Sequence, residues 1–265
     1  MIIQLKGLPL FIRDIGHGPH PLLFFHGWAM SSDSWDALIP YFDLSRYRLL
    51  LPHVRGFGRS GKPLEGYHID DYMRDGVRLL RKLGIGKTTV IGHSFGGTGA
   101  LYLAARLPHL VHRVVVFDTI PGAASPAIDP RTRKQFASIL ELVERTTPER
   151  LNRLLMRIWR QAFAIEPSLS IRKSQQAAAE LAEKHAIRAT LHTILDTDIT
   201  NWLPRLKPPV LIFRGDLDPM LHEDPDPLTA IPNHARHVIT ECGHYPHIEQ
   251  PAQVWHHLGP FLNEL

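Results

Sequence analysis

At 265 residues, with 44% apolar and 21% charged side chains, the chain is long enough for one large α/β domain and too apolar for a disordered one. A net charge of +4 without a Lys/Arg run or an interleaved aromatic stripe offers no groove for nucleic acid. The single cysteine, Cys242, cannot form an intramolecular disulfide, and neither a leader pattern nor a run of eighteen apolar residues is present, so the sequence predicts a soluble cytoplasmic protein with no membrane partner.

Residues 2–15 read as two short strands broken by the turn residues Gly7 to Pro9. Pro21 to Phe25 is a continuous apolar run, as expected of a strand buried on both faces, and it ends directly in His26-Gly27-Trp28. Ser32 to Leu38 carries a capped helix start, with Trp35, Leu38 and Ile39 at helical spacing. A further buried strand, Tyr47 to Leu51, leads into the loop Pro52 to Ser60, and helical periodicity over Asp70 to Leu83 is closed by Gly84 and Gly86.

The stretch Thr89 to Gly97 follows: a β-branched run, then Gly92-His93-Ser94-Phe95-Gly96, then an alanine-rich helical pattern from Thr98 to Leu107. A serine on so tight a strand-to-helix turn is held in a strained backbone conformation with its hydroxyl projecting from the sheet. The free N–H groups of the helix that starts at Phe95 point to the same spot. His112 to Asp118 is the next buried strand. Strands alternating with helices dictate an α/β fold with a mostly parallel, doubly wound sheet and helices on both faces.

From Ile120 to Pro208 no strand-like run occurs, and helical faces dominate: Phe136, Ile139, Leu140 and Val143, then Leu151, Leu154, Leu155, Ile158 and Trp159. This predicts a helical cap over 120–208, inserted between core segments 1–119 and 209–265. The cap lies over the serine turn, and the substrate pocket is expected to include His26, Leu155 and Trp159. Residues 129–173 carry ten Arg or Lys and five Asp or Glu. An anionic substrate or an acidic carrier protein is a candidate partner there, and solvated helix faces explain the charges equally well. Pro209 to Asp218 reads as a buried strand running into a turn with two acids, Asp216 and Asp218; Arg236 to Thr240 is the last strand, followed by Cys242-Gly243-His244 and a closing helix at Pro251 to Asn263. The chain has seventeen histidines, including His244 and His247 at H-x-x-H spacing. They lack the acidic or cysteine companions that a zinc site needs, so no metal and no cofactor is expected.

His26-Gly27-Trp28, the G-x-S-x-G turn at Gly92 to Gly96, the loop Arg55-Gly56-Phe57-Gly58, the Gly215-x-x-Asp218 step and Gly243-His244 resemble, in this order, the α/β-hydrolase superfamily. Among its members the chain is similar to small serine hydrolases of the cofactor-free haloperoxidase and esterase kind. The resemblance implies a catalytic triad, with Ser94 on a nucleophile elbow, Asp218 rather than Asp216 as the acid, and His244 as the base. It also implies an oxyanion hole made by the N–H groups of Trp28 and Phe95. Asp118 too ends a strand, at a position that some relatives use for the acid. Two residues depart from the pattern: His53 stands where an aspartate is usual, and Ala29 where perhydrolytic relatives often carry proline. A serine at position 94 argues against haloalkane dehalogenases and epoxide hydrolases, which need a carboxylate there. The activity implied is hydrolysis of small-molecule carboxylic esters of small or medium acyl groups through an acyl-enzyme. A C–C bond hydrolase or lactonase on the same triad, or a ligand-sensing hydrolase relative, are the alternatives.

Overall fold

The apolar runs become the strands of one eight-stranded sheet: β1 (Ile2–Leu5), β2 (Leu8–Ile15), β3 (His20–Phe25), β4 (Tyr47–Pro52), β5 (Thr88–His93), β6 (Val111–Phe117), β7 (Val210–Gly215) and β8 (His234–Ile239). The computed structural model describes residues 1–221 and 226–263. The spatial order is β1-β2-β4-β3-β5-β6-β7-β8. β1 and β2 pair antiparallel, as do β2 and β4, and every other pairing is parallel. From β3 the chain crosses to β4 on one side and then to β5 on the other. The strand order therefore reverses between β3 and β5, which opens a crevice at their C-terminal ends.

Period-2 alternation sorts the strand residues onto two cores. One face buries Leu23, Phe25, Val90, Val114, Val116 and Ile212 under α1 (Ile69–Lys82) and α2 (Phe95–Arg106). The other buries Leu22, Phe24, Ile91, Val115, Phe117 and Phe213 against Val254, Leu258 and Leu262 of α8 (Pro251–Asn263), which follows the single-turn α7 (Pro246–Glu249).

The helix expected at Ser32 to Leu38 is absent. Two 3₁₀ turns stand there, Ser32–Trp35 and Ile39–Tyr41. The Ser31 hydroxyl accepts the Asp33 N–H at the first turn, and Pro40, which has no N–H to give, sits in the second. Trp35 nevertheless reaches the core, with its ring 5.2 Å from Phe24, 5.8 Å from Phe117 and 4.4 Å from His247.

Between β6 and β7 come four helices, α3 (Pro130–Arg145), α4 (Pro148–Gln161), α5 (Leu169–Glu180) and α6 (Lys184–Asp196). α3 packs on α6, and α4 on α5. Two side-chain bonds tie them to the loop after β3: Gln175 Nε2 donates to the Ala29 carbonyl at 2.9 Å, and Trp28 Nε1 donates to the Ile187 carbonyl at 3.3 Å. Among the described residues no helix is long and apolar enough to cross a membrane.

Trp35→Ala should cost about 3–5 kcal/mol of stability, since the fully enclosed indole joins the sheet to the short helix α7. Urea unfolding measures this, and a loss below about 1 kcal/mol contradicts the packing role.

Candidate active site

Among the described residues four non-glycine residues have a positive φ, namely Ala29, Ser94, Asp118 and Glu241, each shortly beyond the C-terminal end of a strand. Ser94 has φ 50° and ψ −121°, between the last residue of β5 and the first of α2. Its N–H donates to the Phe117 carbonyl at 2.8 Å, and its own carbonyl accepts from Gly97 and Thr98. A Cβ at Gly92 would lie 2.5 Å from the Gly96 carbonyl oxygen and 2.6 Å from Gly97 Cα. That close approach of strand and helix requires glycine at 92, and the Phe25 and His26 carbonyls, both within 2.5 Å of a Cβ at 96, require it there too.

At the end of β7 the two acids separate. Asp218 Oδ2 accepts from His244 Nδ1 at 2.8 Å, while its Oδ1 accepts the Met220 N–H at 2.7 Å. Asp216 instead accepts the Cys242 N–H at 3.0 Å and fixes the turn after β8. The Cys242 thiol is buried, and burial above all pushes its pKa up, which leaves it unreactive.

His244 is held through its backbone. Its N–H donates to Ala162 at 2.8 Å, and its carbonyl accepts from His93 Nε2 at 2.8 Å. Glu249, which sequence reasoning did not single out, clamps the same loop. Its Oε1 accepts from the N–H groups of Gly243 and Tyr245 at 3.1 and 3.2 Å, and its Oε2 from Ala164 and Ile165 at 2.8 and 3.2 Å. The structure thus brings His244 and Asp218 into contact, and it links the serine turn to His244 through His93. Ser94 and His244 themselves share no side-chain hydrogen bond. The backbone N–H groups of Trp28 and Phe95 have no acceptor among the described residues.

Beside Ser94 lies a cavity of about 10 Å³, room for roughly one water. Phe95, Thr98, Ile120, Phe136 and Ile194 line it together with Asp118. The expected pocket residues lie elsewhere. His26 is fully buried, accepts the Val54 N–H through Nε2 at 3.0 Å and contacts the Gly27 carbonyl through Nδ1. Leu155 is sealed in the core, and Trp159 meets Phe163 edge to face and packs with Met30 and Tyr245. The reason is helix order: α4 turns its apolar face toward α5 and Tyr245, while α3 and α6 reach the serine with Phe136 and Ile194. Periodicity marked the apolar face of α3, and it carries no information on which helix stands over the turn. Arg131, Arg160 and Arg172, from the basic stretch, are engaged with Asp129 and Glu166, and among the described residues no basic one lines the cavity.

A family model described as alpha/beta hydrolase fold matches residues 20–251. The chain belongs to this family. A bifunctional esterase/perhydrolase of Acinetobacter calcoaceticus is 35% identical over 117 residues, 43% of this chain and 42% of that protein. A soluble epoxide hydrolase of a Corynebacterium is 37% identical over 119 residues, 45% of this chain and 41% of that protein. The chain thus matches less than half the length of each of these relatives. The solved esterase of Exiguobacterium antarcticum superposes with a TM-score of 0.86 over 99% of this chain and 98% of that one, at 19% identity, which speaks for the fold.

Against the pattern of α/β hydrolases, His53 serves as a neutral substitute for the usual aspartate. Its Nδ1 accepts the Arg59 N–H at 2.9 Å and its Nε2 lies 2.9 Å from Ser32 Oγ, so the loop keeps an acceptor without a charge. Desolvation, helped by His26 and then by Arg59, lowers its pKa to about 3. Burial lowers His26 to about 4 and His247 to about 3, and holds His93 well below the ordinary value.

In the unfolded chain these histidines titrate near 6.5, so below that pH the unfolded state binds more protons than the native one. Stability is therefore complete above about pH 6.5 and falls as the pH drops toward 4, by about 1.4 kcal/mol per pH unit for each histidine still neutral. Urea unfolding between pH 7 and 4.5 should show this slope, and His53→Asn should reduce it by about one proton. An unchanged slope in that variant would contradict the assignment.

Proposed function

We propose that this hydrolase-family chain is a serine hydrolase that cleaves carboxylic esters of small or medium acyl groups through an acyl-enzyme. The observation that carries the reading is the 2.8 Å contact of His244 Nδ1 with Asp218, formed at strand ends beside a serine strained at the N-terminus of α2. Ser94 attacks the ester carbonyl while His244 Nε2 takes its proton, and Asp218 fixes the Nδ1–H tautomer and stabilises the imidazolium. The Trp28 and Phe95 N–H groups, which have no acceptor among the described residues, bind the developing oxyanion; such donors are worth about 10²–10³ in rate each. The alcohol leaves with the proton from His244, and water then attacks the acyl-enzyme with His244 as base. The Ser94–His244 bond forms when substrate closes the site, as is common for resting enzymes.

Two features narrow the chemistry. Proline is confined to φ near −65°, whereas Ala29 has φ 57° and is bonded through its carbonyl to Gln175, so this loop does not take the proline that perhydrolytic relatives often carry. Epoxide opening by a carboxylate nucleophile has no acid at position 94. We read α3 to α6 as a cap, since Phe136 and Ile194 from these helices line the cavity. A space of about 10 Å³ holds no acyl chain, so binding requires these side chains to move. The cavity lining is mainly apolar and selects by volume. The single, buried cysteine fits a cytoplasmic setting.

Ser94→Ala should abolish fluorophosphonate labelling and lower p-nitrophenyl ester hydrolysis by about 10⁴–10⁶-fold with the fold intact. Labelling that survives the substitution sinks the reading, and negligible ester turnover beside efficient cleavage of a vinylogous diketone moves it to a C–C hydrolase. Phe136→Ala should shift the optimum toward longer acyl chains, each added methylene gaining up to about 1–3 kcal/mol. A chain-length profile identical to wild type would remove Phe136 from the acyl site.

A further inference from the structure

Among the described residues Asp118 is the most enclosed carboxyl, and the mechanism leaves it unused. It follows β6 with φ 41°, and the bent backbone turns its side chain toward β7, where Oδ1 accepts the Gly215 N–H at 3.0 Å. Oδ2 is buried and meets no hydrogen-bond donor among the described residues. The carboxyl does lie close to the acid of the triad: Asp118, Asp218 and His244 each bring one ligand atom within 4.8 Å of the other two. Two carboxylates this close cannot both stay charged in a dry site without something positive between them.

The surroundings decide what that is. Arg214, at the end of β7, is bidentate to Asp226 at 2.8 and 2.9 Å. A metal ion would find few free ligand atoms, because Asp118 Oδ1 is taken by Gly215, and the two Asp218 oxygens by Met220 and His244. Among the described residues the other titratable neighbours are the neutral Cys242 thiol and the ring of His244, whose Nδ1–H already points at Asp218. A proton fits. Every donor on Asp218 favours its charged form, so the proton belongs to the neighbour that has only one.

We propose that Asp118 carries a proton on Oδ2 and donates it as a hydrogen bond to Asp218, making it a positioning residue that holds the acid in line with His244. The arrangement is a chain of four groups, Ser94, His244, Asp218 and Asp118, in which the last stays neutral. Burial, and after it the charge of Asp218, holds the Asp118 carboxyl well above the usual carboxylate range, against the pull of Arg214 and the Gly215 N–H. The inference rests on the reading of Ser94, Asp218 and His244 as the triad, while the location of the proton does not.

Asparagine is the neutral mimic of this state: its amide oxygen accepts from Gly215 and its NH₂ donates to Asp218. Asp118→Asn should therefore recover most of the kcat that Asp118→Ala loses, with the acid limb of the pH profile unmoved. Asp118→Ala should lower kcat by about 10–100-fold with little change in KM, the scale usual for groups that orient a reacting residue. If Asp118 were ionised, the Asn variant would remove a negative charge near His244 and shift the acid limb to lower pH by about one unit or more. That shift overturns the proposal, as does an Ala variant with wild-type kcat or an Asn variant as impaired as Ala. The infrared difference spectrum between wild type and Asp118→Asn should contain the carbonyl band of a buried protonated carboxyl near neutral pH, and its absence also overturns the proposal. Failure of the wild type to label would defeat the serine-hydrolase reading, while the infrared band still decides the proton.

Discussion

The close contact of β5 with α2 around Ser94 is the constraint on which the site depends. Strand and helix can approach this closely only because Gly92 has no side chain, and the start of α2 can lie against the end of β3 at Phe25 and His26 only because Gly96 has none. The cost of the positive φ at Ser94 is borne by the bonds around it, from the Phe117 carbonyl behind and the Gly97 and Thr98 N–H groups ahead. The same bend that strains the serine starts the helix, so hydroxyl and free N–H groups face one point with no further device. Asp118 has the same kind of backbone one strand over, and its carboxyl reaches the acid and base for the same geometric reason.

Around that point the inserted helices are part of the machinery as well as a cover. Glu249 gathers four backbone N–H groups, two from the loop that carries His244 and two from the segment after α4. The Ala162 carbonyl adds a bond to the His244 N–H. A displacement of α4 is thus felt at the imidazole, whereas α3 and α6, which supply Phe136 and Ile194 to the cavity, are not bonded to that loop. The loop that carries His244 is thus bonded to the segment after α4, while α3 and α6 line the cavity beside Ser94.

The two departures from the family pattern find physical answers in the fold. His53 keeps the acceptor that its loop needs and gives up the charge, which exchanges an ion's desolvation for the burial of a neutral ring. Ala29 takes up a backbone conformation closed to proline and passes its carbonyl to Gln175 on α5, joining the oxyanion loop to the insertion.

Local pattern determined much of this protein. Continuous apolar runs marked the central strands, glycine spacing marked the turn at Ser94, and the family resemblance at Gly215-x-x-Asp218 singled out the aspartate that contacts His244 over Asp216, which bonds Cys242. These features are legible because each depends on residues adjacent in the chain. The helix expected at Ser32 failed because periodicity outweighed Pro40 and the Ser31 cap. His26, Leu155 and Trp159 do not line the cavity beside Ser94, and an amphipathic helix, which records that one face is buried, says nothing of what buries it. Only the tertiary structure decided that Phe136 and Ile194 stand beside Ser94, that Glu249 clamps the base, and that Asp118 shares its site with Asp218. Those are meetings of residues from different elements, and the packing of the sheet and helices alone sets such distances.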